Sequence, residues 1–244
     1  MHRFFADPER SSDGVAYLTQ DDLHHALTVL RLKTGQHVEI IRDSCRWEGE
    51  IVYTGNQDLF VRILTPLPST EPSLSVTLFQ GLPKADKMDL IIQKATELGV
   101  VRIVPVFMNR CVVRPEPKDM ARKLDRWRKI AREAGKQSGR CVIPDITEAV
   151  VLNRLTEVLL SADCNIVPWE EASGFGPLAF RRAHPDIGSL GILIGPEGGI
   201  EKAEIEMLIS FGFLPITLGK RILRTETAGL AAISSFMSLY GEME

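Results

Sequence analysis

Leu193-Ile194-Gly195-Pro196-Glu197-Gly198-Gly199-Ile200 lies between an apolar run and a helical pattern, and so reads as a loop between a buried strand and a helix. Ligands in open α/β sheets bind at the carboxyl ends of the strands, where such loops lie. Three glycines and a proline in five residues exceed what a plain tight turn, the simplest alternative, requires. Glycine there lets the backbone come close to a ligand and present its amide and carbonyl groups. A second segment, Leu218-Gly219-Lys220-Arg221-Ile222-Leu223-Arg224-Thr225-Glu226-Thr227-Ala228, repeats the context. It leaves a strand expected at 214–218 and enters a helix, with Thr225 as the expected N-cap. Arg224 and Glu226 at such a junction are unusual for a passive connection. Ala228, Ala231, Ala232 and Ser235 share one helix face and point to close packing.

Outward from these loops, residues 74–244 alternate strands and helices. Strands are expected at 75–80, 100–107, 165–168 and 191–194. Asp86 is the expected cap of a helix in which Met88, Ile91, Ile92 and Ala95 follow helical spacing, ended by Gly99. Such alternation predicts a mostly parallel sheet covered on both faces. Residues 1–65 look different. They show β-rich runs at 15–18, 37–42, 46–53 and 59–64, a turn at 54–56, and one helix at 21–30 capped by Asp21 or Asp22. That pattern suggests a small β-barrel-like module. Three prolines at 66, 68 and 72 place the domain boundary within 65–73, giving units of 1–70 and 73–244.

Composition narrows the function classes. The 244 residues carry 29 Lys+Arg against 32 Asp+Glu, a net charge of −3, with 44% hydrophobic residues. A histone-like basic protein and a disordered chain are both excluded. Cys45, Cys111, Cys141 and Cys164 form no C-x-x-C pair, so neither a disulfide scaffold nor a metal site is expected, and a reducing cytoplasm fits. The start has no signal-peptide core, and no apolar run is long enough to span a membrane. Gly219-Lys220 is followed by Arg221, so no Walker-type phosphate loop is present. Gly174-Phe175-Gly176-Pro177-Leu178-Ala179 matches a dinucleotide fingerprint formally. Yet residues 169–173 separate it from the nearest strand, and Pro177 stands where a backbone should meet a pyrophosphate.

Charge distribution points to a polyanion. Residues 110–140 hold 11 Lys/Arg against 4 Asp/Glu. A helix expected at 118–136 buries Met120, Leu124, Trp127, Ala131 and Ala134, leaving Arg122, Lys123, Arg126, Lys129, Arg132 and Lys136 largely on its other faces. Solvated helix faces normally alternate sign, whereas a basic stripe on an acidic protein suits a nucleic acid, whose bound counterions are released on binding. With Arg3 and Arg31 in the first module, and Lys84, Lys87, Arg110, Arg114 and Arg140 in the second, these groups are the candidate RNA-binding residues.

The pairing of LIGPEGGI with LGKRILRTETA resembles the SPOUT superfamily of knotted methyltransferases. The whole chain is more closely similar to the bacterial 16S ribosomal RNA (uracil-N3)-methyltransferase family. The likeness extends to Met1-His2-Arg3-Phe4-Phe5, HHALTVLR at 24–31, KADKMDLIIQKATELGV at 84–100 and the segment 126–144. It implies an N-terminal PUA-like β-barrel, a SPOUT-type α/β domain with a C-terminal trefoil knot, S-adenosylmethionine as methyl donor, and a homodimer. Carried over by motif, Ile194, Gly195, Pro196, Glu197 and Gly198 would contact that cofactor from one loop. Leu218, Gly219, Ile222, Leu223, Arg224, Thr227 and Ala228 would do so from the other. The reaction would methylate N3 of a uridine in 16S ribosomal RNA. N3 lies on the pairing edge, so the base must be unpaired or flipped out. Arg224 would stabilise negative charge on the uracil carbonyls, and Glu226 would orient it or act as base; a structural cap is the alternative for Glu226. Three other readings stay open: action on another RNA site, an RNA-binding module without catalysis, and a nicotinamide-dependent oxidoreductase built on GFGPLA.

Overall fold

A computed structural model describes residues 1–12, 14–54, 58–112, 114–159 and 162–244; the side chains of Asp21 and Thr54 are outside that set, as is most of the turn expected at 54–56. The chain divides into two compact units. The first is Met1–Glu71 with Gly139–Val142, and the second is Pro72–Ser138 with Ile143–Glu244. The short return segment 139–142 thus belongs to the first unit, although sequence alone assigns it to the second domain.

The first unit is a five-stranded sheet in the order β1 (Arg3–Phe5), β3 (His37–Arg42), β4 (Cys45–Thr54), β5 (Leu59–Leu67), β2 (Val15–Tyr17). A bridge between Ala6 and Leu18 joins the two outer strands and curls the sheet into a small barrel. Alternation puts Val38, Ile40, Ile51, Leu59 and Val61 inside, with Phe4, Ala16 and Leu18. Strand β5 continues through Pro66, opposite Trp47. Pairing with β2 ends at Arg62, so proline lies on a locally open edge and removes no ladder bond there.

The helix expected at 21–30 is instead α1 (Gln20–His24) continued by a π-helical turn over His25–Val29. Asp22 does not cap it; the carboxylate accepts the Phe5 backbone N–H at 2.9 Å and ties the helix to β1.

A buried ion pair anchors the return segment. The Arg140 guanidinium donates to Glu71 Oε2 at 3.0 and 2.5 Å, while Glu71 Oε1 accepts the backbone N–H groups of Cys141 and Val142. Arg140 is therefore a structural cation and not an RNA-facing one. Arg3 is likewise engaged: it forks onto Glu39, which Arg46 also grips.

The second unit is a parallel seven-stranded sheet ordered β12 (Phe213–Ile216), β10 (Cys164–Pro168), β11 (Ser189–Ile194), β6 (Ser75–Gly81), β7 (Arg102–Phe107), β8 (Asp145–Ile146), with β9 (Val150–Val151) also on β7. Helices α2 (Lys87–Glu97), α3 (Pro117–Ser138), α4 (Pro177–Ala183), α5 (Lys202–Ser210) and α6 (Thr225–Leu239) accompany it. Both faces are covered, so the strands read as apolar runs: Leu190, Ile192, Leu193 and Ile194 of β11 are all buried. The α3 stripe is buried at Leu124, Trp127, Ala131 and Ala134. Helix α6 buries Gly229, Ala232, Ile233, Phe236 and Met237, a face broader than the alanine stripe suggests.

Asp86 is the N-cap residue of α2, as its sequence position suggests, but it makes no side-chain cap bond, and Arg126 approaches it at 3.6 Å instead. Arg224, not Thr225, is the N-cap residue of α6, which releases the Thr225 hydroxyl for another task. The GFGPLA segment is the start of α4, with Gly176 as N-cap and Pro177 in the first turn, where proline is favoured. Pro177 lacks the first helical N–H that a pyrophosphate would use.

Replacing Glu71 with Ala should destabilise the first unit by about 3–5 kcal/mol, the cost of removing one partner of a buried ion pair. Urea unfolding checks this; a loss below about 1 kcal/mol would show that the pair is dispensable.

Candidate active site

The carboxyl ends of β10, β11 and β12 open into one cavity of about 470 Å³, within the usual range of roughly 300–1,000 Å³ for small-molecule sites. Three loops and two helices line it. Pro168 ends β10 and Trp169 and Glu170 follow it; Ile194 ends β11 and Gly195 to Ile200 follow it; Thr217 to Arg224 follow β12; Lys87 comes from α2, and Thr225 and Ala228 from α6.

The two sequence motifs therefore meet. Ile194, Gly195, Pro196, Glu197, Gly198, Leu218, Gly219, Ile222, Leu223, Arg224 and Ala228 all line this cavity. Thr227 does not; it is exposed on α6, one residue before Ala228. Sequence reasoning misses Trp169 and Glu170, which lie in a stretch with few marks. Their position directly after a strand is the available signal.

A buried polar chain holds the loops together. Gln80, fully buried at the end of β6, donates from Nε2 to Thr225 Oγ1 at 2.9 Å, and Thr225 Oγ1 donates to the Gly195 carbonyl at 2.6 Å. Next to Gln80, Gly81 allows close approach: a Cβ there would stand 2.7 Å from both the nitrogen and Cδ of Pro196. At the far side of the loop, Gly199 adopts φ +75°, and its N–H closes a turn onto the Pro196 carbonyl at 2.9 Å. Arg110 braces that turn, donating to the Gly198 carbonyl at 3.0 Å and approaching Glu201 at 3.4 Å.

The charged groups form one cluster. Lys87 Nζ lies 3.1 Å from Glu197 Oε1 and 3.1 Å from Glu226 Oε2. Glu197 also accepts the Lys84 backbone N–H at 3.1 Å. Burial pushes the Glu197 carboxyl up, but backbone N–H groups and the Lys87 ammonium outweigh it and hold the group below its ordinary value. The backbone N–H of Glu226 at the start of α6, then Lys87 and Arg224, hold Glu226 low against its own desolvation. Lys87 is raised by hydrogen bonds to Glu197 and Glu226. Glu226 itself is not on the cavity wall; Lys87 is.

The remaining expected RNA-binding residues separate by partner. Arg126 pairs with Asp89 and Asp86, and Lys136 with Glu133. Arg31, Lys84, Arg114, Lys129 and Arg132 are exposed. Among the described residues no cluster could hold a metal ion, and no helix is long and apolar enough to cross a membrane.

Gly81→Ala should weaken binding of the S-adenosylmethionine that the sequence resemblance implies by at least tenfold, because Pro196 and its loop must move to admit the methyl group. Calorimetric titration checks this; unchanged affinity would mean that the loop position does not govern the cavity.

Residues 70–237 match the RNA methyltransferase domain family, and residues 18–64 match the RNA methyltransferase PUA domain family. The ribosomal RNA small subunit methyltransferase E of Bacillus subtilis is 34% identical, with 96% of this chain and 95% of that protein covered. A crystal structure of the Neisseria gonorrhoeae ribosomal RNA small subunit methyltransferase E bound to S-adenosylmethionine superposes with TM-score 0.86 at 31% identity, covering all of both chains. A Legionella pneumophila methyltransferase structure with the same cofactor gives TM-score 0.82 at 29% identity, covering 97% of this chain and 96% of that one. With both the barrel unit and the parallel-sheet unit matched, this chain belongs to the RNA methyltransferase family and has its SPOUT-type α/β domain preceded by a PUA-like barrel.

Proposed function

We propose that this chain transfers a methyl group from S-adenosylmethionine to N3 of a uridine in 16S ribosomal RNA of the small subunit, acting as a cytoplasmic homodimer. The observation that carries this reading is the meeting of the two motif loops around one cavity at the strand ends. The likeness to small-subunit methyltransferases over nearly the whole chain supports the choice of substrate. The domain roles follow: 1–70 as the PUA-like RNA-binding module, and 73–244 as the methyltransferase domain closed by a trefoil knot.

The residues fit the cofactor. Gly195, Pro196, Glu197 and Gly198 line the cavity, and the two glycines let the loop pack closely on its neighbours: a Cβ would stand 2.6 Å from Ile200 Cγ1 at Gly195 and 2.8 Å from Arg110 Cβ at Gly198. Leu218, Ile222 and Leu223 offer apolar walls for an adenine ring. Glu170 and Glu197 are the carboxylates on the cavity wall that a cationic sulfonium would meet. When bound, the cofactor supplies an electrophilic methyl group.

The protein must make the uracil imide a nucleophile. Arg224, on the cavity wall at the N-terminus of α6, is placed to donate to a uracil carbonyl oxygen. Its guanidinium and the positive end of the helix both favour negative charge there. Glu226 is better suited to orientation than to proton abstraction, since its Oε2 is enclosed and faces Lys87. The exposed cations Lys129 and Arg132 on α3 would meet phosphates, which position the RNA without reading its sequence.

Three measurements test this reading. Incubating the chain with isotopically methyl-labelled S-adenosylmethionine, and with either 16S RNA or small subunits, should yield labelled 3-methyluridine by nucleoside mass spectrometry. Arg224→Ala should slow single-turnover transfer by about 10²–10³-fold. Label in another nucleoside, or none with either substrate, would overturn the assignment. Replacing Lys129 and Arg132 with Ala should flatten the slope of log affinity against log salt by roughly 0.7–0.9 for each phosphate no longer neutralised, with cofactor affinity unchanged. An unaltered slope would take these side chains off the RNA surface.

A further inference from the structure

Sequence alone groups Lys87 with the phosphate-binding cations, but its ammonium is engaged by two carboxylates at equal distance. They come from elements far apart in sequence: Glu197 from the loop after β11, and Glu226 from the first turn of α6. Each oxygen lies 3.1 Å from Nζ, so the carboxylates stand within two ion-pair lengths of each other. Glu226 Oε2 is enclosed by protein, and the Lys87 ammonium stands 3.1 Å from it. Lys87 also lines the cavity, whereas Glu226 lies behind it. The groups facing Glu226 are Lys87 from α2, Arg224 from the loop before α6, and, across Lys87, Glu197.

We propose that Lys87 is a positioning residue for methyl transfer, locking the cofactor loop through Glu197 and the Arg224–Glu226 corner through Glu226 onto one cation in the cavity wall. This inference rests on the methyl-transfer reading above. Two like charges in one small space repel, and without a shared cation one of them must move or take up a proton. Lys87 removes that conflict and makes the two loops a single unit. Loop closure over the cofactor and the aim of Arg224 are then coupled by one side chain. The same cation keeps Glu226 ionised through the range in which a carboxylate would otherwise protonate; Arg224 and the backbone N–H at the start of α6 act in the same direction.

The sign of the effect follows. Removing the ammonium raises the apparent titration of the Glu197–Glu226 pair, so function that needs both ionised is lost at higher pH than in the native protein. Lys87→Met, Lys87→Arg and the native full-length chain are compared by carbon-13 NMR of labelled glutamate side chains, with Glu226→Gln identifying the Glu226 signal. Lys87→Met should move the Glu226 midpoint upward by about one pH unit or more, and Lys87→Arg should restore it. In kinetics, the acidic limb of kcat should move in the same direction, with kcat falling more than KM for S-adenosylmethionine rises. An unmoved midpoint in folded Lys87→Met protein overturns the clamp, as does a kcat profile that keeps its shape. A moved midpoint in a chain that makes no 3-methyluridine would instead overturn the methyl-transfer reading and leave the clamp standing.

Discussion

The buried chain of hydrogen bonds from Gln80 through Thr225 to the Gly195 carbonyl is the constraint on which the site depends. An unsatisfied buried amide group costs about 1–3 kcal/mol. The Nε2 of fully buried Gln80 is satisfied by the Gly81 carbonyl and Thr225 Oγ1, while its Oε1 has no hydrogen-bond partner among the described residues. The threonine is 145 positions away along the chain, and it in turn fixes a loop 30 positions before itself. Three segments are thereby held at the centre of the sheet edge: the end of β6, the loop after β11 and the start of α6. Gly81 permits the approach by having no side chain where Pro196 packs. The cavity exists because these backbones are kept close without touching along their whole length.

Electrostatics is layered on this frame. The chain is net acidic, and several of its cations are paired: Arg3 and Arg46 with Glu39 and Arg140 with Glu71 away from solvent, Arg110 with Glu201 and Arg126 with Asp89 at the surface. Part of the local excess of basic residues is thus neutralised in ion pairs, while Arg110, Arg114, Lys118, Arg122, Arg126, Arg128, Lys129 and Arg132 still face solvent. The charge cluster at Lys87 belongs to the interior logic of the site, where one cation serves two acids.

Much of the second unit is legible in the sequence because its signals are local. Apolar runs mark β6, β7, β10 and β11, and helical spacing marks α2 and α3. The two glycine- and charge-rich loops identify themselves by lying after strands. Less legible are features set by distant partners. Asp22 looks like a helix cap, yet its carboxylate ties to Phe5. Thr225 looks like another, yet its hydroxyl joins Gln80 and Gly195. Arg140 reads as a surface cation until Glu71, 69 positions away, buries it. Trp169 and Glu170 have no motif around them and enter the cavity only because β10 ends beside β12. Periodicity reports which face is apolar; it carries no information on which polar group meets which.

The measurement that bears most directly on this account is a crystal structure of the chain grown with S-adenosylmethionine. The expected result is cofactor density between the loop 194–200 and the loop 217–225, with Lys87 still bridging Glu197 and Glu226 and with Arg224 facing the side on which the base must enter. Cofactor bound elsewhere on the chain, or bound here with the Lys87 bridge broken and the two loops apart, would contradict it.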